Sequence, residues 1–264
     1  MLSLASSAFL LLPNLLPSNS GGVLLDPQYG SYYRELYHRH WWWRSREEAI
    51  LRFLRSRFSL SSSLRILDVG CGDALFFPRL AEFGDVEGIE PDSHLVNPSG
   101  PYASKIHIAP FDRRFQPGKP YQLLLMLDVL EHLEDPAGAL ACAHALLEPG
   151  GALLLTVPAL RMLWTNHDVM NHHRTRYRRA TLFPLLRQAG FSIACSQYWY
   201  QWTVPAKLAI ALTEKLAPRE PALPPIPPPW LNRLLFFLSR VEQRTLGALA
   251  VPFGSTLMVC AARQ

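Results

Sequence analysis

Cysteine is scarce in this sequence. Cys71, Cys142, Cys195 and Cys260 stand far apart, each among apolar or small neighbours, and no CxxC pair occurs. This spacing argues against a zinc ribbon, a dithiol redox motif or a disulfide framework, and favours buried free thiols in a reducing compartment. Charge is also low, at 18% of residues, against 49% hydrophobic residues in a chain of 264. Such a chain can bury a substantial core and is not intrinsically disordered; its length suits one large domain better than two. The formal charge of +5 falls well short of requiring nucleic acid, although it suits an anionic ligand or an anionic membrane surface. No internal repeat is visible.

The N-terminal stretch "MLSLASSAFLLLPNLLPSNSGG" lacks the positive region of a secretory signal, and Pro13 and Pro17 interrupt its apolar run. Residues 1–22 are therefore expected to be a poorly ordered extension or the result of a start site placed too early. Residues 23–62 are predicted to be helical, from the spacing of Leu36, Trp43, Ile50, Leu51 and Leu54. From residue 63 to 264, short apolar runs alternate with helix-length segments. The strand candidates are "LRILDV", "DVEGIE", "KIHIAP", "YQLLLMLDV", "ALLLTVP", "SIACSQYWY" and "STLMVCAA". Continuous apolar strands separated by helices imply a parallel sheet covered on both faces, hence a Rossmann-like doubly wound α/β fold of seven mostly parallel strands. Residues 206–250 interrupt this pattern as a helical, proline-rich insertion before the last strand.

The strongest chemical signal is "ILDVGCGDALFF". A buried strand ends at Val69, and the chain turns through Gly70, Cys71 and Gly72, where glycine lets a ligand approach the backbone. A helix is predicted to begin near Asp73. Glu90 ends the next strand, where a carboxylate can accept hydrogen bonds from both ribose hydroxyls of an adenosine ligand. The dinucleotide pattern GxGxxG fails here, because Leu75 holds its third glycine position and the Asp73 carboxylate would repel a pyrophosphate. The turn suits a nucleoside ligand with no phosphate and with a positive centre.

In these residues the chain resembles the class I S-adenosylmethionine-dependent methyltransferases, the group that includes ubiquinone and menaquinone biosynthesis enzymes. The resemblance runs through "ILDVGCGDALF", "VEGIEPD", "FDRRF", "YQLLLMLDVLEHLEDPAGALACAHALLEPGGALLLTVPAL" and "RYRRATLFPLLRQAGF", in the family's order over residues 64–199. It implies S-adenosylmethionine as cofactor. Asp68, Gly70 and Gly72, with Cys71 between them, would surround its amino acid part, and Glu90, next to Pro91, would hold the ribose. Asp112 would lie beside the adenine amine. Leu127 and Asp128 would face the methionine portion and the methyl group. Cys71 followed by Asp73 and Ala74, where many members have a further glycine, is the one departure.

Methyl transfer from a sulfonium is an in-line displacement, so the protein mainly positions the two partners and excludes water. A base is needed where the acceptor must lose a proton, and His132, His167, His172 and His173 are the candidates. "NHDVMNHHRTRYRR" follows the fifth strand at the ligand-binding edge. Its Asp168, Arg174, Arg176 and Tyr177, with the histidines, are expected to wall the acceptor pocket. No metal is expected. Asp128, Glu131 and His132 stand at i, i+3 and i+4, but a strand-to-helix turn accounts for them; His172 and His173 are adjacent, which points their rings apart, and no cysteine is nearby. Trp41–Trp43 either cover a ligand or pack an N-terminal helix onto the sheet. "LNRLLFFLSRVEQRTLGAL" has an apolar stripe edged by arginines, which suits an interfacial helix, with peripheral membrane contact through 230–249, or packing on its own domain. The expected protein is a cytoplasmic or membrane-peripheral methyltransferase of a small-molecule or lipid-linked acceptor. A non-catalytic cofactor-binding or partner-binding descendant and a nicotinamide-dependent oxidoreductase are the rival readings, nucleic acid is disfavoured as a partner, and the oligomeric state is left open.

Overall fold

A computed structural model of the chain describes residues 27–58, 63–217, 220, 224–245 and 251–264. The expectation for residues 1–22 and the serine-rich break at 59–62 lie outside the described residues.

Seven strands form one sheet: β1 (Leu64–Val69), β2 (Gly84–Glu90), β3 (Ile106–Ile108), β4 (Tyr121–Leu127), β5 (Leu147–Pro158), β6 (Phe191–Trp199) and β7 (Thr256–Arg263). Their order is β3-β2-β1-β4-β5-β7-β6. Strands β1 to β5 pair in parallel, whereas β7 runs antiparallel to both β5 and β6. The strand order reverses between β1 and β4, which opens a crevice at their carboxyl ends. This is the doubly wound, mostly parallel sheet that the apolar strand runs predict.

Two apolar layers cover the faces. One joins Leu67, Val69, Leu124 and Met126 to Leu140 and Ala143 of α4 (Pro136–Leu146) and to Leu182 and Leu186 of α6 (Arg179–Gln188). The other joins Ile66, Leu123 and Leu125 to Ile50, Leu51 and Leu54 of α2 (Trp41–Arg57) and to Phe77 and Leu80 of α3 (Phe77–Leu80). Alternate residues of β1 and β4 thus feed opposite layers, and both faces are dry.

The N-terminal segment is two helices rather than one. α1 (Pro27–Arg39) ends at His40, whose extended backbone breaks the helix and whose Nδ1 accepts from Trp42 N, capping α2. Trp41 and Trp42 pack beside Tyr200, so the tryptophan run seats α2 on the sheet.

Two further expectations change. α3 spans only Phe77–Leu80, with Pro78 in its first turn, so Asp73 lies in the preceding turns and not at a helix N-terminus. Its carboxylate accepts from Asn97 N at 2.8 Å and pairs with Arg34 Nε of α1 at 2.9 Å. The insertion contains α7 (Val204–Leu216) and α8 (Pro229–Thr245). The buried residues of α8 are the polar Asn232, Ser239 and Glu242. Asn232 bridges the α1–α2 break, accepting from Trp41 N at 2.8 Å and donating to Arg39 O at 2.6 Å. Glu242 accepts from the backbone N–H groups of Tyr200 and Trp202. The fold holds α8 by its polar side, and Trp230, Leu234, Phe237, Leu238 and Val241 face outward. Among the described residues no helix is long and apolar enough to cross a membrane.

Candidate functional site

The crevice starts at the turn after β1. Gly70 and Gly72 have φ of +70° and +51°, the left-handed region that favours glycine. A Cβ on Gly70 would stand 2.8 Å from Val129, whereas nothing lies within 4 Å of the corresponding point on Gly72. The second glycine therefore leaves open space beside the backbone. Cys71 turns inward, and its thiol packs so closely on Gly88 that a Cβ there would stand 2.4 Å from Sγ. The Cys71 side chain thus packs within the turn.

Asp68 is buried at the end of β1. Burial pushes its carboxyl up to about 7, with Arg46 opposing and Glu90 reinforcing the shift. Glu90, at the end of β2, accepts from Gly72 N and from Asp92 N, both at 3.0 Å, one on each oxygen. Burial raises its pKa against those bonds. Each oxygen keeps a further lone pair, so the carboxylate that orders the glycine turn can also receive a diol. Pro91, next in sequence, is exposed. Asp112 stands apart: its carboxylate pairs with Arg114, and it lines an open groove with Ala109 and Phe115.

Leu127 ends β4, half-buried, and Asp128 follows with φ of +57°. A non-glycine residue holds that conformation only where its surroundings over-determine it. Here Asp128 N donates to Thr156 O at 2.9 Å, Oδ1 accepts from Thr156 Oγ1 at 3.1 Å, and Oδ2 meets Arg46 Nη2 at 2.7 Å. Arg46 is the residue that sequence reasoning missed. In "WWWRSREEA" it resembles any solvated helix arginine, and only the seating of α2 turns it over the crevice. Its Nε is buried without a hydrogen-bond partner.

After β5 comes the predicted acceptor loop. α5 (Asn166–Met170) is a single helical turn, and its Asp168 is fully buried. Asp168 accepts from Thr165 N at 2.8 Å, from His173 Nδ1 at 2.8 Å, and from Arg176 Nε and Nη2 at 2.8 and 2.9 Å. Burial alone would raise its pKa, but the bonds from His173 and Arg176 and the guanidinium charge hold it well below the usual carboxylate range. Arg176 also donates to Ala159 O at 3.0 Å. Asp168 and Arg176 thus set the loop's shape instead of facing a ligand.

With Nδ1 held by Asp168, His173 directs Nε2 toward Glu131, 4.0 Å from Oε1. The His132 ring lies edge-on to it, with centroids 4.8 Å apart. His132 keeps one edge in solvent; packing of the rest of its ring, then the neighbouring His173, pushes its pKa down to about 4. Glu131 is fully buried, and neither carboxylate oxygen has a hydrogen-bond partner. Burial first, and Asp128 second, raise its pKa well above the usual range.

The other predicted residues separate. His167 lies 6.3 Å from His173 ring to ring and contacts Asn171, and burial pushes it down to about 4. His172 is exposed, at φ of +54°, and stands outside the cluster. Tyr177 is buried in the core with its hydroxyl donating to Leu130 O at 3.3 Å, so it packs the loop and does not wall a pocket. Arg174 ties the loop to the turn after β4: its N donates to Glu131 O at 2.8 Å and its Nε to His132 O at 3.2 Å. Lys207 of α7 approaches from the insertion, and burial, then Arg176, pushes it down to about 8.

A doubly wound sheet with an open glycine turn, a ribose-competent carboxylate on β2 and a second polar cluster beyond β4 defines an adenosine-cofactor transferase fold. Residues 34–196 match a family model described as a methyltransferase domain, and the chain belongs to that family. A ubiquinone biosynthesis O-methyltransferase of Rhodopseudomonas palustris (strain HaA2) is 32% identical over 128 residues, which are 45% of this chain and 49% of that protein. The chain spans about half the length of the curated relatives it matches. Among solved structures, an S-adenosylmethionine-dependent methyltransferase from Mesorhizobium loti superposes with a TM-score of 0.51 at 18% identity, covering 81% of this chain and 98% of that one. Magnesium protoporphyrin IX methyltransferase from Synechocystis, with bound SAH, gives 0.50 at 15% identity, covering 93% and 90%. The cofactor this fold implies is S-adenosylmethionine, and the open space at Gly72, the spare lone pairs of Glu90 and the unpartnered Arg46 Nε would fit it.

Proposed function

We propose that the protein transfers the methyl group of S-adenosylmethionine to a hydroxyl of a small-molecule or lipid-linked acceptor. The observation that carries this reading is that Asp68, Gly72 and Glu90 stand together at the carboxyl ends of β1 and β2, while Glu131, His132 and His173 gather beyond the end of β4. An acceptor held at the second cluster meets the methyl end of a cofactor held at the first. The bound cofactor supplies an electrophilic methyl on a good leaving group.

The protein's share is positioning. Glu90 accepts from the ribose hydroxyls, and Asp68 offers its carboxylate to the cationic amino group. Arg46 offers its free Nε to the carboxylate of the amino acid part. Asp128, locked by Arg46 and Thr156, fixes the wall between donor and acceptor. On the acceptor side His173 keeps a directed lone pair at Nε2, because Asp168 holds the proton on Nδ1. An oxygen acceptor fits a cluster rich in groups that take up a proton, and the curated relatives are O-methyltransferases.

The lipid-linked alternative rests on α8. Its outward stripe of Trp230, Leu234, Phe237, Leu238 and Val241 is flanked by exposed Arg233 and Arg244, the pattern of a helix lying in an anionic bilayer interface. An acceptor with an apolar tail would be drawn from that interface.

The test has two parts. Calorimetry with S-adenosylhomocysteine and NAD separates the cofactor classes, with binding of the sulfur ligand alone expected; binding of NAD alone overturns the reading. Incubation with a labelled methyl donor and aqueous or lipid extracts then identifies the acceptor fraction, and label in neither fraction refutes the transfer.

A further inference from the structure

Glu131 poses the sharpest unsolved problem in the molecule. A fully buried carboxylate with no hydrogen-bond donor on either oxygen is expensive, and native proteins keep such groups only with a counter-charge or a proton. Asp168 has Arg176, and Asp128 has Arg46, but no arginine or lysine pairs with Glu131 among the described residues. What faces it instead is two imidazoles. Donor atoms of Glu131, His132 and His173 all lie within 4.8 Å of one another.

His173 is oriented through its other nitrogen: Nδ1 is fixed by the Asp168 carboxylate, and Asp168 is in turn clamped by Arg176. Metal-binding histidines are held in this way, with a carboxylate or carbonyl on the remote nitrogen fixing tautomer and ring direction. We propose that Glu131, His132 and His173 form a binding site for a divalent transition ion such as Zn²⁺. Two nitrogen ligands and one carboxylate are a borderline donor set that suits zinc better than the all-oxygen ions. Donors about 2.1 Å from one tetrahedral ion stand about 3.4 Å apart, so the His173 Nε2–Glu131 Oε1 separation of 4.0 Å has to shorten by roughly half an ångström, and small side-chain rotations close this gap and the rest.

The ligand set differs from the i, i+3, i+4 triplet of the sequence. Asp128 is taken up by Arg46 and Thr156, and His173, supplied by the distant loop, replaces it. The solvent-facing edge of His132 keeps one side of the site open, so an acceptor oxygen can complete the coordination. A hydroxyl bound there ionises more readily: its proton leaves to solvent, an oxygen lone pair forms the new bond to the methyl carbon, and the carbon–sulfur pair departs with the sulfur as a thioether. The inference rests on the methyltransferase reading only for this last use.

The test uses full-length protein stripped with a chelator, desalted and titrated with Co²⁺ as a coloured stand-in and with Zn²⁺ in competition. One Co²⁺ per chain, with the visible absorption of a low-coordinate site and displaced by Zn²⁺, is expected. His132→Ala and His173→Ala should each weaken ion binding at least tenfold, a loss that even orienting groups produce, while affinity for S-adenosylhomocysteine stays within about twofold. His132 is partly exposed, so its variant stays folded if the His173 variant does not. Wild-type protein that binds S-adenosylhomocysteine but no Co²⁺ or Zn²⁺ overturns the proposal and leaves the methyltransferase reading intact. Unchanged ion affinity in either folded variant overturns the ligand set. Failure to bind S-adenosylhomocysteine counts against the methyltransferase reading alone.

Discussion

Acidifying the solution should weaken cofactor binding while strengthening the ligand-free fold, because both effects run through Asp68. Its carboxyl is buried at the end of β1 and titrates near 7, against an ordinary 3.8, with burial the main cause. In the ligand-free protein the group therefore carries a proton below about pH 7, whereas the unfolded chain loses it near pH 4. The native state binds more protons across that window, so its stability falls as pH rises from about 4 to 7, by at most on the order of 4 kcal/mol for a full shift of this size. Cofactor binding has the opposite sign. A cationic amino group favours the ionised carboxylate, so binding below pH 7 must expel the proton. A single titration at 7 makes the apparent dissociation constant about 25-fold larger at pH 5.5 than at pH 7.5. Calorimetry with S-adenosylhomocysteine at pH 6 in two buffers of different ionisation enthalpy should show close to one proton released, falling toward zero above pH 8. Asp68→Asn should flatten both the affinity profile and the proton release. An affinity independent of pH between 5.5 and 7.5, with no proton exchanged, would refute both the placement of Asp68 beside the amino group and the argument from its burial.

Glu90→Gln should weaken S-adenosylhomocysteine by roughly 1.5–3 kcal/mol, the range for hydrogen bonds to a charged group, read as a change in Kd by calorimetry. Arg176→Met leaves the buried Asp168 carboxylate without its guanidinium and should cost about 3–5 kcal/mol of stability by denaturant unfolding; an Asp168→Asn, Arg176→Met double variant should recover part of that loss. Phe237→Glu, at a position 62% exposed, should leave the melting temperature within about 2 °C yet abolish flotation with anionic vesicles. Equal flotation of that variant would remove α8 from any membrane role.

The glycine turn and strand ends of the candidate cofactor site were legible because they are built from short-range signals. "LDVGCG" ends a strand and turns within six residues, and Glu90 ends the strand beside it, so periodicity and two glycines fix both places. The helix expected after the turn was not legible in detail. Pro78 lets a helix start only near Phe77 and the chain reaches β2 at Gly84, which leaves a single turn of α3 and frees Asp73 to pair with Arg34. The α1–α2 break was missed for a related reason: His40 is an ordinary helix residue by composition, and its capping role exists only once its ring is packed on Trp41 and Trp43.

The acceptor end was only partly legible, because its pairs form between chain segments that share no local pattern. His172 and His173 are neighbours in sequence, and their adjacency separates them: one faces solvent, the other is half-buried. The same adjacency says nothing of His132, which lies 41 positions from His173 in sequence and meets it ring to ring. Arg46 and Asp128 likewise join α2 to the end of β4, and Asn232 joins α8 to the α1–α2 break. In each case a polar residue that a sequence would assign to solvent is the tie, and on α8 an apolar stripe that a sequence would assign to the core is left outside. Reversed polarity on α8 therefore follows from how the helix is anchored: once Asn232 and Glu242 bind backbone groups of the α1–α2 break and the turn after β6, the apolar face is left to turn outward. Replacing Glu242 with Leu should thus destabilise the protein even though it makes the buried face more hydrophobic, since two backbone N–H groups lose their acceptor.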